Sequence, residues 1–146
     1  MENDFGKKRK IIKCERGQTK DEAELVYVGK SKIKGAGNGL FAKQDIKKGT
    51  KLGYYAGKYL NQMQYDKIKE ENCSYVWQVN TNPNRYVDSR LCKKAILRYV
   101  NGAITKDQMK NVNVEPYTYN GKLYYRTIKN VKKGTEFLID YGDYYW

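Results

Sequence analysis

The chain carries 15 tyrosines and no histidine. Without imidazole there is no Ser-His-Asp triad, no His-ligated metal and no histidine acid–base catalysis. Chemistry is left to tyrosine, carboxylate, lysine, cysteine and main-chain groups. Three stretches gather such groups. The first is the end of the chain, Gly134-Thr-Glu-Phe-Leu-Ile-Asp-Tyr-Gly-Asp-Tyr-Tyr-Trp146, which places three tyrosines and a tryptophan in its final six residues. Chain ends ordinarily fray and are polar, so this one reads as part of a site. The second is Ser31 to Ala42, where Gly35, Gly37 and Gly39 alternate and leave main-chain N–H and C=O groups open to a ligand, although a plain turn shows the same pattern. No helix signal follows it and no Gly-Lys-Ser/Thr occurs, so it is neither a dinucleotide fingerprint nor a Walker loop. The third is Ala95 to Gly102, an apolar run that stops on Asn101-Gly102, a pair that ordinarily marks a turn.

Composition bounds what these stretches can serve. The 146 residues suit one domain. Lys and Arg outnumber Asp and Glu by 29 to 16, a formal charge of +13, which favours polyanionic or acidic neighbours without specifying a fold. The three cysteines, Cys14, Cys73 and Cys92, are far apart with no Cys-x-x-Cys pair. No metal site is expected from them, and reduced thiols are expected in preference to disulfides. No apolar run approaches a membrane span and the start lacks a signal peptide, so an intracellular protein is expected, in the nucleus (of a host cell included) or the cytoplasm.

The elements that must position these groups are short. Residues 1–20 form a basic arm around Lys7-Lys-Arg-Lys10, which reads as a solvated tail, an import signal or a polyanion contact. The remainder, 21–146, forms one domain. Strands are expected at Leu25–Val28, Thr50–Gly57, Tyr75–Val79 and Arg85–Asp88. Asn61 should cap a surface helix of about three turns reaching Glu71. Asp45-Ile-Lys-Lys-Gly49 and Lys132-Lys-Gly134 read as turns, and residues 105–111 as a polar loop. Asn120-Gly121, between two β-rich runs, is the strongest hairpin signal. The sum is about nine strands, one clear helix and no βαβ rhythm, hence a mostly β, mostly antiparallel domain. No internal repeat is evident.

Order and spacing then join the weak signals. Gly-Ala-Gly-Asn-Gly-Leu-Phe-Ala (35–42), Tyr-Ala-Gly (55–57), Arg-Tyr-Val-Asn (98–101), Asn-Val-Glu (113–115) and Leu-Ile-Asp-Tyr-Gly (138–142) resemble the signature of SET-domain protein-lysine methyltransferases, from about residue 25 to the end. The stretches 86–101, 124–127 and 141–144 are most similar to the PR subclass, and the length and ending resemble minimal viral SET proteins. The resemblance implies a β-clip-like fold of short antiparallel sheets with a C-terminal segment threaded into the site. It implies transfer of a methyl group from S-adenosyl-L-methionine to a lysine of a histone or histone-like protein. The cofactor would lie along Ala36, Gly37, Asn38 and Gly39, with Arg98 at its carboxylate, Asn101 and Gly102 beneath it and Trp146 against adenine. Tyr141 would align the methyl as the catalytic tyrosine. Tyr55, also catalytic, with Tyr75, Trp77 and Ile139 would wall the lysine channel. An aliphatic Ile139, where the family often has Phe or Tyr, leans towards di- or trimethylation.

Two departures stand out. The usual Asn-His pair is Asn101-Gly102, and a carboxylate is lost ahead of Tyr55. A weak or inactive PR-like module that binds peptide or cofactor is therefore the alternative reading. A basic enzyme for a basic tail also requires an acidic groove, expected from Glu115, Asp140 and Asp143. The remaining positive surface could dock on chromatin DNA, and the viral resemblance makes a homodimer an expectation. A purely nucleic-acid-binding β domain lacks any reading motif.

Overall fold

A computed structural model describes residues 17–68, 76–81, 83–90, 92 and 94–142. Its most local feature is the hairpin of β8 (Val114–Tyr119) and β9 (Lys122–Thr127). Asn120 and Gly121 both take positive φ, 50° and 76°, the pairing a tight two-residue turn needs to match strand twist. The turn sets the register Tyr119↔Lys122 through Val114↔Thr127. That register stacks Tyr117 on Tyr124 and sets the Arg126–Glu115 ion pair across the strands. On its other edge β9 pairs with β3 (Lys51–Tyr54), with a bulge between Lys51 and Gly53.

The hairpin's other neighbour is the strand that matters most. β10 (Leu138–Ile139) slots between β8 and β7 (Asn101–Gly102), parallel to both, completing the sheet order β3-β9-β8-β10-β7. Asn101-Gly102 is thus a strand and not the turn its sequence suggests. Its backbone pairs with Leu138 and Ile139, a partner 37 positions away that local chemistry cannot reveal. Short strands parallel to each other are weakly held by ladders alone. Buried Asn113 supplies more: its Nδ2 donates to the Glu136 carbonyl at 3.0 Å and its Oδ1 accepts from the Leu138 N–H at 2.9 Å.

Two smaller sheets complete the β structure. β1 (Val26–Lys30) pairs with β2 (Asn38–Ala42), and β4 (Lys58–Asn61), β6 (Arg85–Asp88) and β5 (Val76–Asn80) form a three-stranded antiparallel sheet. One core joins the layers, drawing Leu40 and Val26 from β1–β2, Leu52 from β3, Trp77 and Val87 from β5–β6, Tyr125 from β9, Ile139 from β10 and Phe137 from just ahead of β10. The fold is mostly β, as expected.

The helices are shorter and more numerous than the sequence suggests. Asn61 does cap a helix, with a reciprocal bond from Gln64, but among the described residues α2 covers only Gln62–Asp66. Residues 69–71 lie outside the description. Thr19 caps α1 (Lys20–Ala23), and Thr105 caps α3 (Lys106–Lys110), where a loop was expected. Each capping box satisfies two N-terminal amides, which lets a single turn form in a polar segment. Ile96–Tyr99 is a 3-10 turn. Residues 17–20, read as the end of the arm, pack on β3: Gln18 Nε2 donates to the Leu52 carbonyl at 2.8 Å. Cys92, expected as a thiol, is buried and disulfide-bonded to a partner outside the described residues. No helix among the described residues is long and apolar enough to cross a membrane, and they contain no cluster of metal-ligating side chains.

Candidate active site

Glu136 ties the three sequence stretches together. Its side chain is 8% exposed, and its Oε2 accepts from the Ser31 hydroxyl at 2.6 Å and from Asn101 Nδ2 at 3.2 Å. Oε1 accepts from the Lys32 N–H at 3.0 Å. A buried carboxylate needs such donors to offset lost hydration. Gly39 is required here for space: a Cβ at that position would run into the Glu136 carboxylate. Sequence reasoning passed over Glu136, since nothing local marks it as a partner of residues 104 and 105 positions earlier.

Asn101 spends its Nδ2 twice, on Glu136 and on the Asn38 carbonyl at 3.0 Å. Beyond it, the bare Cα of Gly102 faces the ring of Tyr141, and a Cβ there would overlap the ring. The missing histidine therefore leaves space that Tyr141 occupies. The Tyr141 hydroxyl donates to the Val100 carbonyl at 3.0 Å.

Around that ring stands an aromatic cluster. Trp77 and Tyr141 have centroids 5.0 Å apart, Trp77 and Tyr125 6.2 Å, and Tyr55 and Tyr125 5.6 Å. Trp77 Nε1 donates to the Tyr125 hydroxyl oxygen at 2.7 Å. A hydroxyl has one proton to give, and that of Tyr141 goes to the Val100 carbonyl. Burial first, then the neighbouring Tyr141 and Tyr55 hydroxyls, hold the Tyr125 pKa well above its usual 10. Tyr125 was not singled out in the sequence. Its position in β9 pointed inward by strand alternation, and that was the available signal.

Two cavities meet at this cluster. One, of about 640 Å³, is lined by residues 33–36, by Arg98, Val100 and 101–104, by Met109 and by 140–142. The other, of about 590 Å³, runs beside Trp77, Val79, Glu115, Tyr117 and Leu123. Asp140 borders both. Of the expected cofactor residues, Ala36, Arg98, Asn101, Gly102 and Tyr141 line the first cavity, while Gly37, Asn38 and Gly39 do not. Of the expected channel residues, Trp77 lines the second. Tyr55 and Ile139 are fully packed beneath Tyr125 and in β10 and border neither cavity. Tyr75, Asp143 and Trp146 lie outside the described residues.

The sequence model for the PR domain of PR domain zinc finger protein 2 matches residues 26–146. This chain belongs to the SET/PR-domain family of histone-lysine methyltransferases. The PR/SET chain is 31% identical over 123 residues to the Caenorhabditis elegans histone-lysine N-methyltransferase set-17, covering 83% of this chain and 42% of that one. It is 28% identical to histone-lysine N-methyltransferase SETD7 of Halocynthia roretzi, across 82% of its length and 32% of the relative's. It thus spans less than half of either relative. Among solved structures, the methyltransferase domain of human PR domain-containing protein 2 superposes with a TM-score of 0.66 at 29% identity, covering 85% of this chain and 78% of that one. Chaetomium thermophilum Polycomb repressive complex 2, bound to S-adenosylmethionine, superposes at 0.67 and 28% identity, over 83% of this chain and 15% of the other.

Proposed function

We propose that this PR/SET domain is a protein-lysine N-methyltransferase that uses S-adenosyl-L-methionine and acts on a histone or histone-like basic protein. The observation that carries this reading is the pair of cavities that share Asp140: Tyr141 lines the first, which has mixed charge and apolar walls, and Trp77, packed on the Tyr141 ring, lines the second, which is acidic and aromatic.

The first cavity suits the methyl donor. Arg98 offers a cation for a carboxylate, Ile33, Ala36, Ile104 and Met109 offer apolar surface for a purine, and Gly102 and Gly142 leave main chain accessible. With Nδ2 tied back, Asn101 has its Oδ1 to offer as acceptor. S-adenosylmethionine supplies an activated methyl group on a sulfonium. The protein's own part is placement, the main requirement for an in-line displacement. Tyr141 gives its proton to the Val100 carbonyl, which leaves its oxygen to act as an acceptor and not a donor. That suits electrostatic alignment of a cationic donor and not removal of a proton, since tyrosine is a poor base at neutral pH.

The second cavity suits a basic peptide. Asp140 and Glu115 supply two of the three carboxylates anticipated, with Glu115 steadied by Arg126 Nε at 2.6 Å. A lysine entering past Trp77 leaves water for aromatic surface, which favours its neutral, nucleophilic form.

The test is transfer of radiolabelled methyl from S-adenosylmethionine to core histones, with Tyr141→Phe as control. Activity falling at least a hundredfold in the variant is expected. Equal incorporation by the two proteins would remove the catalytic role. Cofactor binding without transfer by the wild type would leave the PR-like binding module.

A further inference from the structure

Two turns of this chain are copies of each other. Asp45-Ile-Lys-Lys-Gly-Thr50 and Asn130-Val-Lys-Lys-Gly-Thr135 differ at two conservative positions, a repeat hidden in sequence by its brevity and its 85-residue offset. In space the two copies pair. Ile46 N–H donates to the Val131 carbonyl at 2.7 Å and Val131 N–H to the Ile46 carbonyl at 2.8 Å, an antiparallel bridge. Two further sets of bonds are reciprocated. Lys48 N–H donates to Asn130 Oδ1 and Lys133 N–H to Asp45 Oδ1, each at 2.8 Å. Gly49 N–H reaches the Thr127 carbonyl at 2.9 Å and Gly134 N–H the Ala42 carbonyl at 2.8 Å. The glycines take φ of 86° and 87°.

An antiparallel bridge has a local two-fold axis normal to its plane, so equivalent residues share a face. Ile46 and Val131 are buried, and alternation sends their neighbours Lys47 and Lys132 outward. Lys47, Lys48, Lys132 and Lys133 are all exposed, flanked by Lys43 and Lys129. The only carboxylate in residues 43–50 and 128–135 is that of Asp45, already engaged by a backbone amide. Neither copy borders the two cavities.

We infer that this two-fold lysine platform binds the phosphate backbone of duplex DNA, independently of methyl transfer. A duplex presents two antiparallel strands of phosphates related by local two-folds, and a symmetric protein surface matches that arrangement. Neither copy contains Arg, the usual reader of base edges, or an aromatic ring on which unpaired bases could stack. Contacts are therefore to phosphate and carry no sequence preference. A lipid surface fits less well, because the bridge's apolar side chains are turned inward.

The experiment is fluorescence anisotropy of the full chain with a labelled duplex of about 20 base pairs over a salt series, without methyl donor, so its result stands apart from the methyltransferase reading. Removing four phosphate contacts in K47Q/K48Q/K132Q/K133Q should flatten the log K against log salt slope by about 3–4 and weaken binding at least tenfold at moderate salt. The variant K20Q/K58Q/K67Q/K94Q, which loses the same charge from exposed sites elsewhere, should stay within about twofold of wild type. The four-arginine version of the platform should bind. Thermal melting verifies that each variant is folded. No binding by wild type, equal weakening by the two glutamine sets, or platform-dependent binding to anionic vesicles with duplex binding unchanged would each overturn the inference.

Discussion

Tyr125 is the buried centre of the aromatic cluster: its hydroxyl accepts the Trp77 N–H, and the Tyr141 and Tyr55 hydroxyls stand near it. Tyr125→Phe leaves the buried indole N–H without its acceptor, a cost of about 1–3 kcal/mol, and loosens the Trp77 ring that packs on Tyr141. Urea unfolding should show that loss at pH 8, with turnover falling more than cofactor affinity. The pH dependence has a definite sign. A raised folded-state pKa means that the folded protein holds the proton more tightly, so the stabilisation is complete below the unfolded value near 10 and is lost as pH rises towards the folded value. The gap between wild type and variant should therefore narrow above pH 10. A gap that widens there would contradict the assignment. Gly102 teaches the complementary lesson: the absent side chain is part of the site, because Tyr141 occupies the room it leaves.

The decisive element is β10, two residues long and wedged between β7 and β8. It carries the chain from Glu136 to Tyr141, so its placement decides whether the first cavity and the aromatic cluster exist together. Asn113 clamps it with both side-chain polar atoms. Asn113→Ala would orphan the Leu138 N–H and the Glu136 carbonyl in a buried place, costing about 2–4 kcal/mol in chemical denaturation. Asn113→Asp keeps the acceptor for the Leu138 N–H but sets a buried carboxylate oxygen against the Glu136 carbonyl, so it should lose at least as much at neutral pH and recover as the carboxyl is protonated on acidification. A loss that does not shrink relative to Asn113→Ala as pH falls would show that the clamp does not act through these two groups. The hairpin β8–β9 needed no such help from afar, because Asn120-Gly121 states its turn locally.

The whole domain is assembled so that its ligand sites draw on distant segments: the first cavity joins residues 33–36, 98–104 and 140–142. A molecule bound there stabilises the folded state against the unfolded one by mass action. S-adenosylmethionine at a hundred times its Kd should add about 2.7 kcal/mol, a rise of about 5–10 °C in Tm for a domain of this size. Differential scanning fluorimetry reads it directly, and an unchanged Tm at millimolar cofactor would count against the cavity's assignment.

The residues alone established the mostly β class, the hairpin at Asn120-Gly121, the cap at Asn61 and, through ordered motifs, the family. Each rests on signals that are local or linear. Tertiary structure decided that Asn101-Gly102 is a strand, that Lys106–Lys110 form a helix and that Gly39 makes room for Glu136. It also decided that Tyr125 holds Trp77 against Tyr141 and that two Lys-Lys-Gly turns form one surface. Those depend on contacts between positions tens of residues apart, and chain closure brings such positions together without leaving any mark in the local pattern.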